Sequence, residues 1–176
     1  MPFDDISYLR TGNERQQAVY DLLSRHQVME RLAGYDPILA GTVPIGLDVP
    51  GSDLDILCCW KRMEDFWADM HTGFRGESGF YSKILPQWQA AKVCFELEGW
   101  PVEIFGQGCP TRQQRGYLHL VREHELLTRL GPKFRAQVMA LRQAGVKTEP
   151  AFAAVLGLSG DPYEALLRYQ VQEIQG

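Results

Sequence analysis

Between Asn13 and about Leu32, apolar residues recur at Val19, Leu22, Leu23, Val28 and Leu32, a helical spacing that Gly34 is expected to stop. A short apolar run at 37–42 (PILAGT) reads as a strand, and so does 52–60 (SDLDILCCW). Residues 63–74 return to a helical pattern. Residues 75–91 carry no clear period and, with Gly76 and Gly79, read as a mobile connection. From 92 to 106, Val93, Phe95 and Leu97 alternate with Cys94 and Glu96, which predicts a hairpin turning near Glu98-Gly99. Beyond it the pattern is helical only. A long segment at 111–130 is ended by Gly131-Pro132 and a second covers 133–145. A third is capped by Thr148 with Pro150 in its first turn, and a last one opens on Asp161 and Pro162. The fold class is therefore α/β (α+β). A small mixed sheet flanked by helices is followed by a C-terminal helical bundle. The expected organisation is an α/β unit with an N-terminal helix at 1–110 and a helical region at 111–176 packed on it.

Composition changes this picture little. A chain of 176 residues, 45% hydrophobic and 23% charged, can bury a core and is not disordered by composition. A net charge of -4 provides no broad field for nucleic acid or acidic membranes, so any anion site must be local. No apolar run is long enough to span a bilayer and the N-terminus is not a signal peptide, so a cytoplasmic protein without a membrane partner is expected. Cys58, Cys59, Cys94 and Cys109 form no CxxC pair and read as buried, reduced thiols.

The chemistry concentrates at Asp53 and Asp55. In a strand, residues two apart share a face, so two carboxylates are held side by side while Leu54 and Ile56 point the other way. Close carboxylates repel, and a divalent cation relieves the conflict. Mg²⁺ takes hard oxygen ligands and completes its shell with phosphates, and a pair of ions can serve both oxygens of a phosphoryl displacement. Two Mg²⁺ ions are expected here, with Mn²⁺ as a substitute. Glu103, an acid between Val102 and Ile104, is the favoured third ligand. Glu96 competes, because a turn centred on Gly99-Trp100 would set it opposite Glu103. Separated from Asp53 by the ten residues 43–52, Gly41 allows close backbone approach to a phosphate and Thr42 supplies a hydroxyl. Ser52, beside the aspartates, joins them as a nucleotide-binding candidate. Pro44 and Pro50 leave little room for a regular helix between these two stretches.

An apolar strand, Gly-Thr, ten residues, Asp-x-Asp in a strand and a later strand acid together resemble the nucleotidyltransferase superfamily related to DNA polymerase beta. The matching residues are Gly41, Thr42, Asp53, Asp55 and Glu103, over roughly 35–106. Within that superfamily, GTVPIG, GSDLDI, VEIFGQ and KTEPAFA make the whole chain look like a family of compact bacterial proteins, a likeness that brings no substrate with it. The resemblance implies a nucleotidyltransferase-like sheet and transfer of a nucleoside monophosphate from an NTP to an acceptor hydroxyl. That acceptor is a small molecule, a nucleic-acid end or a protein side chain. Asp53, Asp55 and Glu103 would be both catalytic and metal-binding.

On the helix after Gln107, Arg112, Arg115, His119 and Arg122 fall at i, i+3, i+7 and i+10 and so share a face. Arg112, Arg115 and His119 are candidate nucleotide contacts on it. His119 and Glu123 lie one turn apart, where a hydrogen bond between them is expected rather than a metal pair. Lys83 and Lys92 read as solvated, Asp48 as a turn residue, and the four tryptophans as core or interface. Two rivals remain: a nucleotide sensor of the same fold without turnover, and a metal-independent ribonuclease using Arg112 and His119.

Overall fold

The computed structural model describes residues 3–170, so the outer ends of the expected 1–110 and 111–176 segments lie outside the described residues. The elements run α1 (Glu14–Arg25), α2 (Val28–Arg31), β1 (Ile38–Ala40), β2 (Leu54–Cys59), α3 (Met63–Phe74), β3 (Ser78–Leu85), β4 (Ala90–Leu97), β5 (Trp100–Gln107), α4 (Arg115–Gln143), α5 (Thr148–Leu156) and α6 (Pro162–Arg168).

A capping box opens α1. The Asn13 side chain accepts from Gln16 N, and the Gln16 side chain accepts from Asn13 N. The single helix expected to reach Leu32 is broken at Gln27, whose φ of 51° is left-handed. That turn lets Val28 and Leu32 join the same core as Val19, Leu22 and Leu23. Gly34 is not the stop either. It lies in a tight helical turn at Ala33–Tyr35, and Asp36 takes the left-handed conformation.

The five strands form one sheet in the order β1-β2-β5-β4-β3. β2 and β5 are parallel and the other neighbours antiparallel. Parallel pairing needs a crossover, supplied here by α3 and the β3-β4 pair. Alternation then divides the sheet. Leu54, Ile56, Cys58, Val93, Phe95, Val102 and Ile104 pack with Phe66, Met70 and Phe74 of α3 and with α1. Leu57 and Phe105 face the opposite side and meet Tyr117, Leu120, Phe134, Phe152 and Leu166 of the C-terminal helices. Asp55 and Glu103, two residues before Leu57 and Phe105, belong to this second face.

Residues 75–91 are a strand and a short turn rather than a connection. β3 is an edge strand with an irregularity between Ser78 and Tyr81, and most of its side chains are exposed, so no buried period marks it. α4 is broken at Gly131, with φ 74° and ψ -166°, just before Pro132. Thr148 does not cap α5; Lys147 holds that position without a side-chain cap bond. Asp161 caps α6 as expected, accepting from Glu164 N at 2.9 Å. Only Cys58 of the four free thiols is fully buried. Among the described residues no helix is long and apolar enough to cross a membrane.

Candidate active site

The parallel register sets Asp55 of β2 directly beside Glu103 of β5. Ala40 of β1 flanks Asp55 on the other side, and Cys94 of β4 lies opposite Glu103. The hairpin therefore turns at Glu98-Gly99, and Glu96 pairs with Pro101, exposed. Asp53 stands just before β2, at the end of a tight loop. There Ser52 N donates to Val49 O, and the Ser52 hydroxyl accepts from Val49 N, both at 2.9 Å. Ser52 lines the cleft while shaping this turn. One carboxylate oxygen from each of Asp53, Asp55 and Glu103 lies within 4.8 Å of the other two.

Burial, then the charges of Asp53 and Glu103, push the Asp55 carboxyl up to about 7, against the pull of Lys92. Lys92, read from the sequence as solvated, donates from Nζ to Glu103 Oε2. Burial depresses its ammonium, but the Glu103 bond and charge outweigh that and raise it overall. Lys92 thus compensates one carboxylate directly and leaves Asp55 poorly compensated. A set of hard oxygen donors carrying unrelieved negative charge fits a divalent cation of the Mg²⁺ or Mn²⁺ class.

Gly41 and Thr42 border the same cleft. Gly41 has φ 73°, and a Cβ built there would overlap the Asp55 carboxylate. Gly41→Ala is therefore expected to lose about 1–2 kcal/mol from the left-handed backbone alone, which lowers Tm by several degrees. The displaced Asp55 should also weaken Mg²⁺ binding. Thermal unfolding with and without Mg²⁺ checks both effects.

After Thr42 the chain makes a compact turn without a regular helix, closed by Gly46 N to Val43 O (3.1 Å) and Leu47 N to Thr42 O (3.0 Å). Its carbonyls are held from two sides. Gln16 donates to Val43 O at 2.9 Å, Arg135 to Ile45 O at 2.7 Å and Arg142 to Leu47 O at 3.5 Å. Asp48 is bound to Arg15, whose guanidinium lies over the Trp100 ring.

The cleft between the sheet and the C-terminal helices has a volume of about 950 Å³, at the upper end of the ~300–1,000 Å³ usual for ligand sites. Its helical wall carries Arg115, His119, Glu123, Arg142, Lys147, Glu149 and Tyr163. No role in this cleft could be read for Arg142, Lys147, Glu149 or Tyr163, because only the far end of α4 and the return of α5 and α6 bring them here. Trp88, expected to be core or interface, is 59% exposed and also borders the cleft.

The shared basic face does not form. Arg112 lies in a tight turn before α4, so its helical spacing to Arg115 does not apply. Its guanidinium is held outside the cleft by Asp4 (2.7 Å) and Asp36 (3.0 Å). Arg112 thus does not line this cleft, whereas His119 does. Arg115 lines the cleft but pairs with Glu164 at 2.5 Å. Arg122 pairs with Glu125 at 2.8 Å, away from the cleft lining. Burial and, secondarily, Arg115 hold the His119 ring below its ordinary range, against Glu149. The bond expected between His119 and Glu123 is absent, and both ring nitrogens are buried without a partner.

Residues 21–169 match the family described as a domain of unknown function (DUF4269). The chain belongs to that family. No curated protein matches the DUF4269 chain in sequence. Among solved structures it is similar to the polymerase core of TRAMP, an RNA surveillance complex, at 13% identity and TM-score 0.52, over 92% of this chain and 50% of that one. It is also similar to the Cid1 poly(U) polymerase, at 15% identity and TM-score 0.52, over 83% of this chain and 48% of that one. The DUF4269 chain thus spans about half the length of these structures. They share its fold.

Proposed function

We propose that this protein is a nucleotidyltransferase that transfers a nucleoside monophosphate from an NTP to an acceptor hydroxyl. The observation that carries the reading is the convergence of Asp53, Asp55 and Glu103 oxygens within 4.8 Å at the floor of a large cleft. Asp53 and Asp55 would hold divalent cations together with the nucleotide phosphates, and Glu103 would complete the ligand set. When bound, Mg²⁺ or Mn²⁺ supplies charge neutralisation at the phosphates. The acceptor oxygen attacks the α-phosphorus, the bond to the pyrophosphate oxygen breaks, and the hydroxyl proton passes to Glu103. Lys92 gives up its bond to Glu103 as that carboxylate takes its role. Gly41 gives the nucleotide a close approach to the backbone beside Asp55, Thr42 offers a hydroxyl, and Lys147 at the start of α5 offers an exposed cation.

In this reading residues 1–110 carry the carboxylates and residues 111–176 the facing wall. The names of these structural neighbours point to RNA, but a net charge of -4 provides no broad field to hold a long nucleic acid. That favours a small acceptor or a single chain end, with Trp88 as a face on which a planar group can stack. The Lys92–Glu103 pair supports a second reading, a nucleotide sensor whose Glu103 serves only to bind Lys92. Calorimetric titration of a non-hydrolysable NTP with Mg²⁺ tests the shared binding step. Wild type should bind and Asp55→Asn should bind at least ~10-fold more weakly through loss of a charge-assisted ligand. Equal affinity in the two would sink the assignment.

A further inference from the structure

On the helical wall of the cleft, His119 and Glu123 of α4 meet Glu149 of α5, with one ligand atom from each within 4.8 Å of the others. His119 is 6% exposed and Glu123 4% exposed. Both ring nitrogens of His119 lack any hydrogen-bond partner, although a neutral imidazole carries one donor and one acceptor. The ring is oriented by edge contact with Tyr163, at 5.9 Å between centroids. Among the described residues Glu123 forms no hydrogen bond or ion pair. A buried imidazole left this way is costly unless something binds it, and beside it the Glu123 carboxyl has only the nearby Arg142 charge to offset its burial.

The donor set tells what that is. The i, i+4 spacing sets the two α4 ligands on one face, and Glu149 reaches them from a different helix. An imidazole nitrogen with two carboxylates suits a borderline first-row ion, whereas Mg²⁺ prefers oxygen ligands and retained water. We propose that His119, Glu123 and Glu149 form a second metal site, specific for a Zn²⁺-class ion, which ties α5 to α4 across the cleft from the Asp53–Asp55–Glu103 cluster. The remaining coordination positions face the cleft and take water or a ligand. The site requires nothing of the nucleotidyl-transfer reading and is tested without it.

The experiment removes the first cluster and asks whether Zn²⁺ still binds. Asp55→Asn protein, stripped with chelator and dialysed against ZnCl₂, should retain one Zn²⁺ per chain by elemental analysis. Its X-ray absorption spectrum should show one nitrogen ligand among oxygens. The Co²⁺-loaded protein should show visible ligand-field bands. His119→Ala and Glu149→Gln, each in that background, should lower Zn²⁺ affinity by more than the ~10–100-fold seen when only an outer-shell partner is removed. Glu149 is only partly buried, so that variant is informative even where His119→Ala unfolds. Should Asp55→Asn bind no Zn²⁺, or bind it without a nitrogen ligand, the proposal fails and water is the partner of these groups. Undiminished affinity in a folded Glu149→Gln would overturn it equally.

Discussion

Glu103→Gln is expected to lose nucleotidyl transfer by about 10²-fold or more, the usual effect of removing a positioned general base. The same variant should keep NTP bound within a few-fold of wild type. Gln matches Glu in shape, so β5 keeps its register between β2 and β4. The change removes the charge and the proton acceptor together. Asp53 and Asp55 remain to hold the nucleotide, and Lys92 loses its partner. Two measurements separate the roles: calorimetry for NTP affinity, and single-turnover release of labelled pyrophosphate with an acceptor found by screening. A fall in kcat with steady affinity assigns Glu103 to the chemical step. An equal fall in affinity would make it a binding ligand alone. Transfer at the wild-type rate would reject the mechanism, and bound NTP with no turnover in wild type would favour the sensor.

What could be read in advance followed from local physics. Asp53 and Asp55 stand out because strand alternation makes a pair of charges beside Leu54 and Ile56 costly without a reason. Glu103 stands out because it interrupts an apolar strand. Register was not legible: one residue of shift at the hairpin decides whether Cys94 or Glu96 lies opposite Glu103, and both turns satisfy the same alternation. β3 was hidden because an exposed edge strand has no buried face to impose a period. The basic face failed for a different reason. A helical wheel assumes a helix, and Arg112 precedes α4 in a tight turn. The far wall of the cleft depends on how α5 and α6 fold back after the break at Gly131, a tertiary outcome that no local pattern encodes. Lys92 was misread because a lysine on a half-exposed strand is usually solvated, and only the pairing of β4 with β5 brings Glu103 to it.

Stripped of metal, the protein should lose an Asp55 contribution to its stability as pH rises from about 4 to about 7. The Asp55 carboxyl is pushed from an ordinary 3.8 up to about 7, first by burial and then by Asp53 and Glu103. Across that interval the unfolded chain has given up the proton while the native protein still holds it. At this group the native state binds more protons there, so its contribution to the unfolding free energy falls as pH rises. The full interval corresponds to at most about 4 kcal/mol, at ~1.36 kcal/mol per pH unit. Asp55→Asn keeps the shape and cannot ionise, so it should be more stable than wild type near pH 8 and show a flatter profile. Glu123 is also pushed up by burial and contributes with the same sign in both proteins, so the difference between them isolates Asp55. A divalent cation favours the ionised carboxylate, so saturating Mg²⁺ should restore wild-type stability above pH 7 and leave Asp55→Asn nearly unchanged. Urea unfolding at pH 5, 6, 7 and 8, with chelator and with Mg²⁺, measures all four arms. A chelated wild type whose stability falls no more steeply than that of Asp55→Asn would mean that Asp55 is already ionised and compensated. The case for a cation at Asp53, Asp55 and Glu103 would then lose its electrostatic basis.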